Sequence, residues 1–245
     1  MKNNIKKYFV AFGLIVTLIS CGDLGSNRPS KETYPVRGID VSHHQGRIDW
    51  DDVSDEDISF VYIKATEGEN FRDSLFAHNL LNARRIGLKV GAYHYYLASK
   101  DPLKQAYNFI SNVPPISVSL PPVLDIELPT DLKTEKSHSQ IVSEIYTCLK
   151  ELEKHYRKKP LIYTDYINYD KYLKTGFAEY DFWIRDIYDT PRFSDGRSWS
   201  FWQHSDKGLV KGISGLVDLN VFSGNRGKFD SLYNPVQLDS AKILH

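Results

Sequence analysis

The sequence predicts one α/β domain built as a closed barrel of eight strands, in which five strand–helix units precede three strands with reduced helices, (β/α)5(β)3. Segments of strand and helix character alternate along most of the chain, and the helical signal fades after residue 182. The chain has 245 residues, of which 41% are hydrophobic. That length and composition suit a single barrel domain with a large packed core.

Eight short segments rich in β-branched and aromatic residues predict the strands. In chain order they cover residues 36–41, 60–65, 89–95, 122–127, 161–166, 182–185, 199–203 and 217–222.

Helical patterns separate the first five of these strands. Asp73 can cap a helix whose apolar residues recur at helical spacing as far as Gly87. Asp101 precedes a proline at the first helical position, and Ser137 begins a capping-box pattern. A shorter helix is predicted near 168–174, after the fifth strand.

The first twenty residues predict an export signal rather than part of the barrel. Lys2, Lys6 and Lys7 precede an apolar run over 8–19, which is shorter than the ~20 residues of a membrane-spanning helix. The run ends just before Cys21, and this junction resembles a bacterial lipobox, in which the cysteine carries lipid. The alternative is an ordinary signal peptide with a chance cysteine.

These features divide the chain into four parts. Residues 1–20 form the signal peptide, 21–34 a flexible tether from the lipidated cysteine, 35–225 the barrel and 226–245 a short polar tail. The expected location is the bacterial cell envelope, with the protein anchored to a membrane through its lipid. Cys148, on a predicted helix, is expected to be a buried apolar residue.

Charge and motif content exclude several kinds of function. The formal net charge is zero, and removal of three lysines with the signal peptide leaves −3 (0 − 3). Electrostatically driven nucleic-acid binding is therefore not expected. The histidines lack the spacing of a metal site, so neither a metal nor another cofactor is predicted. They include His43, His44, His94 and His204. No protein partner is indicated.

Four carboxyl groups fall at predicted strand ends, where barrels of this kind carry their functional groups. Asp40 lies at the end of the first strand, and Asp218 lies at the start of the eighth. Asp125 and Glu127 end the fourth strand, two residues apart, so both side chains point to one face.

Desolvation and mutual repulsion raise the pKa of at least one carboxyl of such a pair. Glycoside hydrolysis needs one carboxyl to protonate the leaving oxygen and an anionic partner to stabilise the developing positive charge. The separation of the two carboxyls, and with it the choice between a retaining and an inverting mechanism, does not follow from the sequence.

Seven segments, in chain order, resemble motifs of glycoside hydrolase family 25, the Chalaropsis-type lysozymes. They are Gly38-Ile39-Asp40-Val41-Ser42, Phe60-Val61-Tyr62-Ile63-Lys64, Gly91-Ala92-Tyr93-His94-Tyr95, Pro122-Val123-Leu124-Asp125-Ile126-Glu127, Leu161-Ile162-Tyr163-Thr164, Phe201-Trp202-Gln203 and Val217-Asp218-Leu219-Asn220.

The resemblance implies an N-acetylmuramidase that cleaves the bond between N-acetylmuramic acid and N-acetylglucosamine in peptidoglycan. It implies that Glu127 is the general acid, that Asp125 is the second carboxylate, and that Asp40 and Asp218 support them. Asp125 would either steady the substrate's own N-acetyl group or act on water, and participation by the N-acetyl group is favoured.

The resemblance also implies substrate contacts. Tyr62, Tyr163 and Trp202 match aromatic or hydroxyl contacts near the cleaved sugar, and Lys64 is placed to orient a carboxylate. Tyr93 and Gln203, in the third and seventh strand motifs, complete the predicted substrate-binding set. Two other functions are open: a non-catalytic peptidoglycan-binding lipoprotein, and a hydrolase of another N-acetylated glycan.

One residue departs from the family pattern. The sixth strand reads Phe182-Trp183-Ile184-Arg185, whereas many members have a small residue in place of Arg185. A large cation is therefore expected near the barrel mouth, where it would alter the shape of the substrate groove.

Overall fold

The computed structural model describes residues 29–115 and 119–233. Nine strands form one sheet within these ranges. They are β1 (Arg37–Val41), β2 (Phe60–Glu67), β3 (Phe71–Arg72), β4 (Lys89–Tyr95), β5 (Val123–Ile126), β6 (Leu161–Thr164), β7 (Asp181–Arg185), β8 (Phe201–Gly208) and β9 (Val217–Phe222).

Helices cover the outside of the sheet and the ends of the strands. They are α1 (Trp50–Val53), α2 (Phe76–Arg85), α3 (Pro102–Asn112), α4 (His138–Tyr156), α5 (Tyr166–Asn168) and α6 (Arg226–Tyr233), with a 3₁₀ turn at His43–Gln45 and a π-helical turn at Tyr169–Leu173.

Eight of the nine strands close into a ring. The order is β1-β9-β8-β7-β6-β5-β4-β2, and a parallel pairing of β1 with β2 completes it. The short β3 pairs antiparallel with β2 outside the ring. Helices follow the first five ring strands, whereas β7, β8 and β9 follow one another without an intervening helix. The predicted barrel is thereby confirmed.

Strand β9 runs antiparallel to both of its neighbours, β1 and β8. The beginning of β9 therefore lies at the same end of the barrel as the carboxyl ends of the other ring strands. In this register Asp218 is paired with Asp40.

Large rings fill the barrel interior, and glycines on the flanking strands leave space for them. Phe60 and Tyr62, on β2, are fully buried and lie opposite Gly38 of β1 and Gly91 of β4 in the strand registers. A Cβ added at Gly38 would lie 2.4 Å from the Phe60 ring. The base of the interior is closed by Phe229 of α6, which is also fully buried.

The predicted helix starts are confirmed in two of three cases. The Asp101 side chain accepts a hydrogen bond from the Lys104 N–H, and Ser137 forms the predicted capping box. The expectation for Asp73 is wrong, because α2 begins at Phe76 and its N-cap residue is Leu75, whose side chain forms no capping hydrogen bond.

The side chain of Asp73 instead holds the loop that follows β1. Its Oδ2 accepts from the His43 backbone N–H at 2.9 Å and lies 2.7 Å from the His43 Nδ1. Its Oδ1 accepts from the backbone N–H of Leu75. The carboxylate that the sequence predicted to cap α2 therefore binds His43, thirty residues earlier in the chain.

The described part of the N-terminal segment contacts the barrel. In the segment assigned to the tether, the Pro29 carbonyl accepts from Arg37, and the Tyr34 ring lies 5.7 Å from that of Trp202. The predicted signal peptide and Cys21 lie outside the described residues.

Cys148 is buried on α4 as expected, and burial raises the pKa of its thiol. Across residues 29–115 and 119–233 no helix is long and apolar enough to span a membrane.

Candidate active site

A cavity of about 180 Å³ opens at the end of the barrel where the parallel strands finish. All four predicted carboxyl groups line it, together with aromatic, amide and ammonium groups from several ring strands. Its lining residues are Asp40, Lys64, Tyr93, Tyr95, Asp125, Glu127, Tyr163, Trp183, Gln203 and Asp218.

The Asp40 carboxylate is held by a network that crosses four other strands. Its Oδ2 accepts from the Asn220 Nδ2 at 2.7 Å and from the Gln203 Nε2 at 3.2 Å. The amide oxygens of these residues are occupied in turn: Tyr163 donates to Gln203 at 2.8 Å, and the Trp183 indole donates to Asn220 at 2.8 Å. The network fixes both amide orientations and hence the position of Asp40.

Asp40 and Asp218 form a carboxyl pair across β1 and β9. Burial raises the pKa of Asp40 to about 6, although hydrogen bonds from Asn220 and Gln203 act to lower it. Burial, followed by the nearby charge of Asp40, raises the pKa of Asp218 to about 8. Two neighbouring carboxyls, one buried and one half-buried, cannot both ionise freely, so the pair holds a proton near neutral pH.

Asp125 is the third of four residues in β5, Glu127 comes directly after the strand, and both side chains reach the cavity. Asp125 is 6% exposed, and its Oδ1 has no hydrogen-bond partner among the described residues. Burial raises the pKa of both carboxyls, and the charge of Glu127 raises that of Asp125 further. The pair is therefore suited to hold one proton and one negative charge.

Lys64 is the cation inside the cavity. Its Nζ lies 2.7 Å from the Glu67 Oε2 and 4.9 Å from the centre of the Tyr95 ring. Its positive charge acts to lower the pKa of Asp125 and, less strongly, that of Glu127. Lys64 therefore favours the anionic form of the deeper carboxyl.

Arg185 is the cation at the cavity rim. It ends β7, and its Nη2 lies 3.0 Å from the Asp206 Oδ2. The charge of Arg185 acts to lower the pKa of Glu127 and of Asp218. The large cation that the sequence predicted at the mouth is thus present within electrostatic range of both carboxyls.

Three tyrosines complete the cavity wall as neutral hydrogen-bonding groups. Burial raises the pKa of Tyr93 and Tyr163 well above the usual range and raises that of Tyr95 to about 12. The Tyr95 hydroxyl donates to the backbone oxygen of Glu127 at 3.4 Å.

Comparison with known families agrees with this geometry. The model of glycosyl hydrolases family 25 matches residues 39–213. The chain belongs to glycosyl hydrolase family 25. As a member it is a glycoside hydrolase, a class of enzyme whose chemistry uses carboxyl pairs such as those that line the cavity.

Two relatives and a solved structure are similar to this chain over most of its length. YegX, an uncharacterized protein of Escherichia coli O6:H1, is 41% identical over 197 residues, which cover 78% of this chain and 71% of YegX. Lysozyme M1 of Streptomyces globisporus is 35% identical over 216 residues, covering 83% and 73%. A family 25 glycosyl hydrolase structure from Bacillus anthracis has a TM-score of 0.78 at 35% identity, covering 84% of this chain and 96% of that one.

Two residues that the family resemblance assigned to substrate lie elsewhere. Tyr62 is fully buried beneath the cavity, with its ring 4.9 Å from that of Trp183. Trp202 is 1% exposed and lies outside the ring of strands, where its indole donates to the Asp186 carbonyl at 2.7 Å. Because Gln203 faces the cavity, its neighbour Trp202 on β8 must face the helical layer. Both side chains are buried in the described structure, so the predicted contacts of Tyr62 and Trp202 with substrate stay predictions.

The other predicted residues meet at the cavity, and the structure adds three more. Trp183 and Tyr95 line it, and Asn220 holds Asp40 from behind. Side-chain alternation could have identified the two aromatic residues, since Trp183 shares a strand face with Arg185, and Tyr95 shares one with Tyr93.

Within residues 29–115 and 119–233, no group of three or more histidine, cysteine, aspartate or glutamate residues could hold a metal ion. His94 is buried, and its Nδ1 lies 2.7 Å from the Thr66 hydroxyl. Burial lowers the pKa of His94 to about 4, so it is a neutral partner of Thr66 and, at 3.4 Å, of Gln105.

Proposed function

We propose that the protein is an N-acetylmuramidase, which hydrolyses the β-1,4 bond between N-acetylmuramic acid and N-acetylglucosamine in bacterial peptidoglycan. The observation that carries this proposal is the Asp125–Glu127 pair, one buried and one half-buried carboxyl with raised pKa values in one cavity. The names of relatives that share the family, such as Lysozyme M1, support the choice of peptidoglycan as substrate.

Glu127 is the general acid in this proposal. It is less buried than Asp125, so an incoming glycosidic oxygen meets it first, and burial raises its pKa, as a general acid requires. Asp125 is deeper: burial and the charge of Glu127 raise its pKa, and the charge of Lys64 opposes that rise. In this proposal Glu127 carries the proton, and Asp125 carries the negative charge that Lys64 supports.

The free Oδ1 of Asp125 favours participation by the substrate's own N-acetyl group. Asp125 accepts a hydrogen bond from the N–H of the N-acetyl group, while the carbonyl oxygen of the N-acetyl group attacks the anomeric carbon. The bond to the leaving oxygen breaks as Glu127 gives that oxygen its proton. Water then opens the cyclic intermediate, returns a proton to Glu127, and leaves a product with retained configuration.

Release of reducing ends from purified peptidoglycan tests the reaction. The soluble form, residues 22–245, is compared with Glu127→Gln, which removes the acid and is expected to lower turnover by about 10²–10⁴-fold. Glu56→Gln is the matched control, because Glu56 is exposed and outside the cavity lining. Mass spectrometry should find fragments that end in reducing N-acetylmuramic acid.

Three results would contradict the proposal. Unchanged turnover in Glu127→Gln would show that another group is the acid. Binding to insoluble peptidoglycan without release of fragments, by the unsubstituted protein, would indicate a wall-binding module instead. Cleavage of another N-acetylated glycan, such as chitin, in place of peptidoglycan would change the assigned substrate.

The configuration of the first product tests the mechanism separately. NMR of the newly formed reducing end should show the β-anomer before mutarotation. An α-anomer would rule out participation by the N-acetyl group and require direct attack by water.

We further propose that the enzyme is exported and anchored to a membrane through lipid on Cys21. The basic start, the short apolar run and the cysteine at its end support this assignment. Labelling of cells with a radioactive fatty acid should mark the protein, and Cys21→Ser should abolish the label. Label on the Cys21→Ser variant would mean that another residue carries the lipid. Absence of label from the unsubstituted protein would mean that the segment is an ordinary signal peptide.

A further inference from the structure

The cavity repels anions overall. It is lined by four carboxyl groups (Asp40, Asp125, Glu127 and Asp218) against one lysine. The muramyl unit of peptidoglycan differs from N-acetylglucosamine by a lactyl ether that ends in a carboxyl group, which is either free or linked to a peptide with carboxylates of its own. A muramyl carboxylate that approaches this mouth therefore needs a cation to offset the repulsion.

Lys64 is poorly placed to meet such a group. Its side chain is 10% exposed, and its ammonium group is already bonded to Glu67 and lies over the Tyr95 ring. A carboxylate could reach it only by displacing these contacts from a buried position.

Arg185 is differently placed. It ends β7 directly opposite Gln203 in the strand register, and the Gln203 side chain lines the cavity. The Arg185 side chain is 34% exposed, and its one hydrogen bond among the described residues uses Nη2. A guanidinium group has five N–H donors in a planar fork that matches a carboxylate, so donors are left for a second partner.

We propose that Arg185 binds a carboxylate on the muramyl side of the glycan, and thereby favours glycans that carry this anion over neutral N-acetylated glycans. Asp206 holds the guanidinium at the rim, and the substrate carboxylate takes the donors that Asp206 leaves open. This inference rests on the proposed muramidase activity and names the substrate feature that the same site selects.

The test uses two glycans, each in a charged and a neutral form. One is peptidoglycan stripped of its stem peptides by an amidase, which frees the lactyl carboxylates. The other is intact peptidoglycan with acetylated amines, in which the carboxylates belong to the peptide. Carbodiimide coupling to methylamine converts either one to its neutral form. The ratio kcat/KM is measured for the unsubstituted protein and for Arg185→Ala across the pH range.

We expect Arg185→Ala to lower kcat/KM by about tenfold on a charged glycan, the effect of one charge-assisted hydrogen bond, and to leave the neutral form within about twofold. Loss on stripped glycan identifies the lactyl carboxylate as the partner, and loss confined to intact peptidoglycan identifies the peptide. Arg185→Lys should keep part of the preference. Arg192→Ala is the control, since it removes an exposed arginine from the loop after β7.

Equal losses on charged and neutral glycans would overturn the inference, because they would mean that Arg185 acts through the pKa of Glu127. Unchanged kcat/KM on both charged glycans would overturn it too, and would reduce Arg185 to a surface ion pair with Asp206. An unsubstituted protein that cleaves none of the four glycans would instead contradict the proposed function, which separates the two failures.

Discussion

Replacement of Gly91 by alanine tests the packing on which the cavity floor rests. A Cβ at this position would lie 2.1 Å from the Tyr62 Cε1 and 2.4 Å from its Cδ1. Ordinary carbon contacts are about 3.5–4.0 Å, so the ring would have to move by roughly 1.5 Å. Tyr62 has no space for that movement, because it is fully buried and its ring lies 4.9 Å from that of Trp183 and 5.8 Å from that of Phe201.

The magnitude follows from the cost of overpacking a dense core. Such substitutions typically cost about 1–3 kcal/mol, and the rigid neighbours of Tyr62 favour the upper end. For a domain of this size, each kcal/mol lowers Tm by roughly 2–4 °C, so we expect a fall of about 6–12 °C. Displacement of Trp183 would also disturb its hydrogen bond to Asn220 and lower activity.

Thermal unfolding of residues 22–245, followed by circular dichroism, measures this effect. Gly227→Ala is the control: Gly227 lies in α6, and the nearest heavy atom to its added Cβ is 3.6 Å away. That control should be neutral or stabilise the fold by about 0.5–1 kcal/mol. Adding Tyr62→Leu to Gly91→Ala should recover part of the loss, because the clash is with that ring.

The reasoning would be refuted if Gly91→Ala unfolded within about 1 °C of the unsubstituted protein, a shift too small for any overpacking. It would also be refuted if Tyr62→Leu and Gly91→Ala had additive costs, since additivity means that the two positions do not touch.

Three further predictions concern the site and its support. The pKa of Asp218 is raised from 3.8 to about 8, so the folded state holds a proton that the unfolded chain releases; the free energy of unfolding should therefore fall as pH rises from about 4 to about 8, and Asp218→Asn should flatten that dependence in melting curves. Trp183→Phe removes the indole donor behind the Asp40 network and should lower kcat about fivefold. Trp202→Phe, in contrast, should lower Tm and leave kcat unchanged. The reverse pattern would indicate that Trp202 contacts the substrate. Asp73→Ala strips the buried acceptor from His43 and should cost about 2 kcal/mol in urea unfolding, while no loss would mean that this bond does not hold the loop.

Most of the fold could be predicted because its signals are local. The Asp101 and Ser137 caps depend on residues within one helical turn, and the residue composition of the ring strands predicts them. The Asp73 prediction failed for the same reason. Residue type identifies a carboxylate that can cap a helix, but the competing partner, His43, lies thirty residues earlier and meets it only in the folded barrel.

The carboxyl groups of the site were predictable from strand ends, whereas their support was not. Asn220 and Trp183 act through hydrogen bonds that cross the ring, and no pattern within one strand shows such a bond. Trp202 is a different case, because the sequence held the information. A strand that points Gln203 into the cavity must point Trp202 away from it.

The position of Asp218 also carries more information than its residue type. In a ring of parallel strands, a residue near the start of a strand lies at the end of the barrel opposite the active site. Asp218 is the second residue of β9, yet it pairs with Asp40 at the cavity. Both facts hold only if β9 runs against its neighbours, which is the observed pairing. An acidic residue at the start of the last strand, in a chain whose other carboxyls end their strands, is therefore a sign in the sequence itself that this strand is reversed.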